Sequence, residues 1–145
     1  MGARSDGRKS ALQILFALDA REVGEAEEDV GGDVELAISD FWRETPGDLE
    51  GRSFADELVR EIMTERGRID SQISGASRTW RLDRMARVDR NVLRLGTWEL
   101  MGKDVPRAVV IDEAVELAKR FGGEGSGVFV NGVLDRIAED IASSD

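Results

Sequence analysis

The chain has 145 residues, 41% of them hydrophobic and 34% charged, carries a formal net charge of -10, and contains neither cysteine nor histidine. The two missing residue types exclude disulfides, thiolate zinc, Ser-His-Asp and Cys-His nucleophiles, the HExxH zinc site and the carboxylate-histidine di-iron centre, because each needs sulfur or imidazole. Catalysis would have to rest on Asp, Glu, Lys or Ser, no metal or cofactor is expected, and no stretch approaches the roughly 18 apolar residues of a membrane span.

The length suits one domain, or two small subdomains sharing a core. A soluble, cytoplasmic protein is the natural reading of a chain without cysteine or an apolar leader. Its charge is unevenly placed. Residues 19–50 hold twelve acidic side chains against Arg21 and Arg43, whereas residues 1–18 are locally basic, with Arg4, Arg8 and Lys9 opposed by Asp6. Screening beyond about 8 Å leaves such a basic start able to meet a polyanion despite the acidic bulk.

In chain order, residues 10–18 place Ala11, Leu12, Ile14, Leu15 and Leu18 at helical spacing, with Arg8 and Lys9 just before them. Residues 22–33, acidic and glycine-rich, read as a loop. Asp33 is positioned to cap a second helix with Val34, Ala37, Ile38 and Phe41 on its apolar face, ending before Pro46-Gly47. Ser53 is positioned to cap a third, lined by Phe54, Leu58 and Ile62. The same stripe runs on through Ile69 and Ile73, with a kink or break expected near Gly67.

Residues 82–103 are apolar around much of a helical circumference, the mark of a central helix. Val105-Pro106 opens the next helix, whose stripe is Ile111, Ala114, Val115, Ala118 and Phe121, with Asp112 and Glu113 early, Lys119 and Arg120 late, and Gly122-Gly123 as the stop. The last helix carries Val130, Val133, Leu134, Ile137 and Ile141 on one face. Nothing alternates with a strand's period. The expected fold is therefore all-α, with about seven helices, divided into an N-terminal part over residues 1–78 and a C-terminal part over 79–145. In that fold Asn131-Gly132, ordinarily a hairpin turn, has to lie inside the last helix, where glycine costs about 1 kcal/mol against alanine. Close helix packing or a ligand against the backbone would offset that cost.

Three stretches, VDRNVLRLGTWEL, VPRAVVIDEAVELAKRFGGEGS and FVNGVLDRI, taken with SALQILFALD, RIDSQI and WRLDRM upstream, resemble the family of the bacterial transcription antitermination factor NusB. The resemblance spans nearly the whole chain apart from residues 22–50. It implies two packed three-helix-like bundles without enzymatic activity. It also implies binding to boxA-type single-stranded RNA together with the ribosomal protein NusE, in an RNA polymerase antitermination complex that reads through ribosomal RNA operons.

Carried onto this sequence, the family's RNA contacts fall on Arg4, Arg8 and Lys9, and on Lys119, Phe121, Ser126, Phe129 and Asn131. Cations at phosphates and aromatic rings under splayed bases are the chemistry single-stranded RNA requires. The NusE surface falls on Phe16, Asp89 and Arg90. Several positions have a plainer reading: Phe121 is in phase with the buried stripe, Asn131 could bond within a helix packing, Phe16 could be a core contact, and Glu99 could pair with Arg94 or Arg120. Arg78, Arg81, Arg84, Arg87 and Arg90 recur every third residue, as a basic stripe on a helix would, serving either phosphates or solvent. A protein-protein adaptor of the same fold, or a homodimer with weak RNA binding, stays open as the alternative. In two places this chain departs from the family pattern: Ser5, Asp6 and Gly7 interrupt the basic start, and Gly125 and Gly127 stand where longer polar side chains are common.

Overall fold

A computed structural model of the protein describes residues 2–20, 30–47 and 49–144. Seven α-helices account for most of them: α1 (Ala3–Ala20), α2 (Val30–Glu44), α3 (Leu49–Thr64), α4 (Arg66–Ala76), α5 (Arg87–Gly102), α6 (Arg107–Phe121) and α7 (Ser126–Ser144), with a short 3-10 turn at Leu82–Arg84. No strand occurs among the described residues. The all-α expectation holds. No helix of the described residues is long and apolar enough to cross a membrane.

Two compact units divide the chain, Met1–Thr64 and Glu65–Asp145. The division falls earlier than residue 78 because α4 packs on α5 and α7. In the first unit α1 lies chiefly against α3, with α2 alongside both. Its core takes Ala11, Leu12, Ile14, Leu15 and Leu18 from α1, and Ala55, Leu58, Val59 and Ile62 from α3, all buried. Each fully buried Leu or Ile contributes about 1.5–3 kcal/mol. The two helices pack closely at Gly7, where an added Cβ would come within 2.7 Å of the Phe54 ring and 3.0 Å of the Gly51 carbonyl oxygen. On the surface of this unit Arg60 clamps Glu35, its Nη2 and Nε donating at 2.8 and 2.9 Å. That hydrogen bond holds the Glu35 carboxyl below its ordinary value.

In the second unit α5 is central, touching α4, α6 and α7. Val92, Leu93 and Leu95 are buried, and Gly96 lets Leu134 of α7 sit where a Cβ would stand 2.9 Å away. One charged pair ties α4 to α5. Arg94, 6% exposed, donates Nε and Nη2 to Asp70 at 2.9 and 3.2 Å and Nη1 to Asn91 Oδ1 at 3.1 Å. Between α6 and α7, Arg107 donates to Glu139 and Asp135, which raise its pKa.

Several sequence expectations are corrected. Helix α1 starts at Ala3, so Arg4, Arg8 and Lys9 are helical and do not precede the helix. Helix α2 starts at Val30, which puts Asp33 inside its first turn instead of at its cap, and α3 starts at Leu49, ahead of Ser53. The expected loop over residues 22–33 is helical from Val30 onward, and residues 22–29 lie outside the described residues. The break expected near Gly67 is present, at Glu65 between α3 and α4. Asp112 and Glu113 fall beyond the first turn of α6, which begins at Arg107 after Pro106. The five arginines do not share a helix: Arg78 is in a connector, Arg81 and Arg84 flank or occupy the 3-10 turn, and Arg87 and Arg90 are in α5.

Candidate nucleic-acid interface

The basic residues of α1 fall into two kinds. Arg4 is exposed and Lys9 half-buried, while Arg8 is 3% exposed. Both guanidinium groups stand 5.5 Å from the centroid of the Phe54 ring, close enough for a cation-π attraction. Arg8 is therefore part of the α1–α3 packing, and Arg4 and Lys9 are the cations presented outward. Beside Lys9 a cleft of about 310 Å³ is bordered by Ser10, Gln13, Trp42 and Arg52. Trp42 is fixed there by donating Nε1 to Asp56 Oδ1 at 2.7 Å, and Arg52 covers its ring at 5.2 Å. The position of Arg52 beside this cleft is not legible in the sequence, because its neighbours give it no distinguishing pattern.

The α6–α7 turn gathers the second set. The Gly122 amide donates to the Ala118 carbonyl at 2.8 Å, and the Gly123 amide to the Ser126 hydroxyl at 3.0 Å. A Cβ on Gly122 would lie 2.6 Å from both the Ala118 oxygen and Ser126 Oγ. This turn closes only over glycine at that position. Gly125 follows in the left-handed region, at φ 83°, a conformation that favours glycine. Ser126 is buried, and its hydroxyl shapes the turn. Lys119 is exposed, Phe121 is half-buried with the Arg120 guanidinium 5.3 Å over its ring, Phe129 is half-buried, and Asn131 is exposed. Asn131-Gly132 lies inside α7, as the helical period required. A Cβ on Gly132 meets nothing within 4 Å, so close helix packing does not account for that glycine.

Of the residues expected to face a protein partner, Phe16 is 40% exposed on α1, Arg90 is half-buried and donates to the Met85 carbonyl at 3.4 Å, and Asp89 is half-buried on the first turn of α5. Asp89 meets Ser126 and Phe129 along a cleft of about 250 Å³. The lone aromatic in RTWRLDR, Trp80, borders the same cleft and is 56% exposed. Sequence reasoning left it out, although a tryptophan among arginines outside any apolar stripe is the kind of signal that marks a binding surface.

The sequence model of the NusB family matches residues 5–139. The chain belongs to the NusB family. A curated relative, the transcription antitermination protein NusB of Sorangium cellulosum (strain So ce56), is 58% identical over 146 residues, covering 100% of this chain and 98% of the relative. Among solved structures, T. maritima NusB is 40% identical with a TM-score of 0.77, covering 94% of this chain and 91% of that one. A structure of the antitermination factors NusB and NusE in complex with dsRNA is 29% identical with a TM-score of 0.76, covering 97% and 98%.

Proposed function

We propose that this chain is a transcription antitermination factor that binds boxA-type single-stranded RNA jointly with the ribosomal protein NusE, in the RNA polymerase complex that reads through ribosomal RNA operons. The observation carrying the reading is the 58% identity, over the full chain, to a transcription antitermination protein NusB. A similar NusB has been crystallised with NusE and dsRNA, which supports the two partners. The role is one of binding without catalysis, exercised in the cytoplasm.

Within the first unit Arg4 and Lys9 meet phosphates, with Arg8 holding the helix that carries them. Within the second, Lys119 supplies charge, Phe121 and Phe129 offer ring faces, Ser126 fixes the turn between them, and Asn131 presents its amide. For NusE, the first unit offers Phe16, an exposed aromatic of the kind that anchors interfaces, and the second unit offers Asp89 and Arg90.

Titration of a short boxA-like RNA into the protein, with and without NusE at two salt concentrations, tests this. Binding strengthened by NusE is expected, with an affinity that falls with salt. Replacing Arg4 and Lys9 lowers the logarithmic salt slope by about 0.7 for each phosphate that is no longer neutralised. NusE binding with RNA affinity untouched by this protein would replace the reading with the adaptor alternative.

A further inference from the structure

The cleft of about 310 Å³ in the first unit is bordered by Lys9 and Gln13 of α1, Trp42 of α2 and Arg52 of α3, which only folding brings together. Two of its features go beyond what packing requires. The first is the state of Arg52. An arginine on a helix ordinarily finds a carboxylate four residues away, and for Arg52 that carboxylate is Asp56, but Asp56 Oδ1 accepts from Trp42 Nε1 at 2.7 Å. Arg52 lies over the indole instead, its guanidinium 5.2 Å from the ring centroid, and forms no ion pair among the described residues. The indole is in turn fixed by Asp56, by the Phe41 ring at 4.8 Å and by the connector at Gly47, where a Cβ would stand 2.5 Å from it. The second feature is charge. Lys9 likewise forms no ion pair among the described residues, so two unneutralised cations border one cleft in a chain of net charge -10.

A guanidinium stacked by its face keeps its N–H edge free, and that planar edge matches two oxygens of a phosphate as a lysine ammonium does not. The stack also restricts the side chain beforehand, so less freedom is lost when an anion arrives. Resting on the RNA-binding reading above, we infer that Arg52 is a further phosphate-contacting residue for the RNA strand, paired across the cleft with Lys9, and that Trp42 is its positioning residue. Trp42 acts twice: its face carries the guanidinium, and its N–H occupies the carboxylate that would otherwise neutralise it. The one carboxylate bordering the cleft, Asp6, is exposed, and water weakens its repulsion. RNA is favoured over an acidic protein segment because Arg4 and Lys9 on α1 already present cations outward, and because the cleft offers a protein side chain no open aromatic face, its indole being covered by Arg52.

The test titrates a short boxA-like single-stranded RNA into the full chain with NusE present, over a range of salt, for wild type, Arg52→Ala, Arg52→Lys, Trp42→Leu, the double variant Trp42→Leu with Arg52→Ala, and the control Arg60→Ala. Arg52→Ala is expected to lower the logarithmic salt slope by about 0.7 and the affinity at about 0.1 M salt by about fivefold, the contribution of one phosphate a decade below 1 M. Arg60→Ala removes the same charge from the same helix, where Glu35 already pairs with it, and leaves both unchanged. Arg52→Lys keeps the slope but loses about twofold to fivefold in affinity, the scale of an exposed cation-π contact. Trp42→Leu, which releases Asp56 to pair with Arg52, weakens binding by about as much in the wild-type chain and by less than about twofold when Arg52 is already alanine. A merely structural role for Trp42 would not produce that coupling. Thermal melts of the two Arg52 variants stay near wild type, since the side chain is exposed; if Trp42→Leu does not fold, Arg52→Lys decides the positioning role alone.

Unchanged affinity and slope in Arg52→Ala would overturn the inference while leaving RNA binding itself intact. Wild-type affinity in Arg52→Lys, or a Trp42→Leu loss equally large without Arg52, would overturn the role of Trp42. Loss of NusE affinity in Arg52→Ala with RNA affinity unchanged would mark a protein-docking cleft. Inorganic phosphate at matched ionic strength should leave the Arg52 contribution in place; its disappearance would mark a site for the free anion and overturn the assignment to the strand. If wild type bound no RNA even with NusE present, the RNA-binding reading would fall as well.

Discussion

Removing Asp70 should destabilise this protein more than removing the arginine it pairs with. Arg94 is 6% exposed and Asp70 23% exposed in their side chains. In Asp70→Ala the group left behind is the deeper one, a guanidinium that loses acceptors at 2.9 and 3.2 Å and keeps Asn91 Oδ1 at 3.1 Å among its remaining partners. Breaking a buried pair from one side costs about 3–5 kcal/mol, and the access of water to the Asp70 side places this case near the lower figure, about 3 kcal/mol. In Arg94→Met the stranded group is a carboxylate with partial solvent access and Arg66 Nε at 3.5 Å. That loss is expected near 1 kcal/mol, the range of exposed pairs. Since an apolar replacement of both partners removes the desolvated charges together, the double variant should cost less than the sum, with a coupling of at least about 2 kcal/mol. Urea unfolding followed by far-ultraviolet circular dichroism at neutral pH gives all four corners of the cycle. An Arg94→Met cost equal to or above that of Asp70→Ala, or costs that simply add, would refute the assignment of Arg94 as the buried charge that Asp70 neutralises.

Gly132→Ala should raise stability by about 0.5–1 kcal/mol, because it removes a helix-interior glycine whose Cβ position is empty; a simultaneous loss of RNA or NusE affinity would show that the glycine is kept for a close-approaching ligand, and lowered stability would contradict the geometry. Arg8→Ala should lower the melting temperature through lost packing against Phe54, whereas Lys9→Ala should leave it unchanged and reduce only the salt dependence of RNA binding; the reverse pattern in paired thermal melts and titrations would overturn that division of roles. The Glu35 carboxyl, held below its ordinary value chiefly by the Arg60 hydrogen bond, contributes stability that is present above its unfolded pKa and is lost as pH falls through the lower folded one. With both side chains about half exposed, the contribution is at most about 1 kcal/mol, and Glu35→Gln should flatten the acid limb of the stability curve by that amount; an unchanged limb would mean the clamp is not formed in solution.

Helices α5, α6 and α7 were legible because independent signals coincide along them: Val105-Pro106 at an entry, Gly122-Gly123 at an exit, and apolar stripes at one period between. The start of α1 was not, since Ala3–Lys9 carries no apolar stripe and Gly7 looks like a breaker. In the folded chain Gly7 is instead the crossing point with α3, a reason that only the partner helix supplies. The arginine repeat misled in the opposite way, because a regular three-residue recurrence is spread over a connector, a 3-10 turn and the start of α5. Among site residues, the motif around the α6–α7 turn could be read locally. The cleft that joins residues 80–89 to residues 124–129 could not, because its walls meet only through α5 and α7 packing.

In the first unit the dominant helix pairing is α1 with α3 and not with α2. The chain between those partners is thus a closed loop, and its length enters the free energy of folding only logarithmically, at about 0.6 kcal/mol for each doubling. A change in the number of residues between α1 and α3 therefore enters only through that logarithm, whereas a methyl group added at Gly7 meets the Phe54 ring and the Gly51 carbonyl directly.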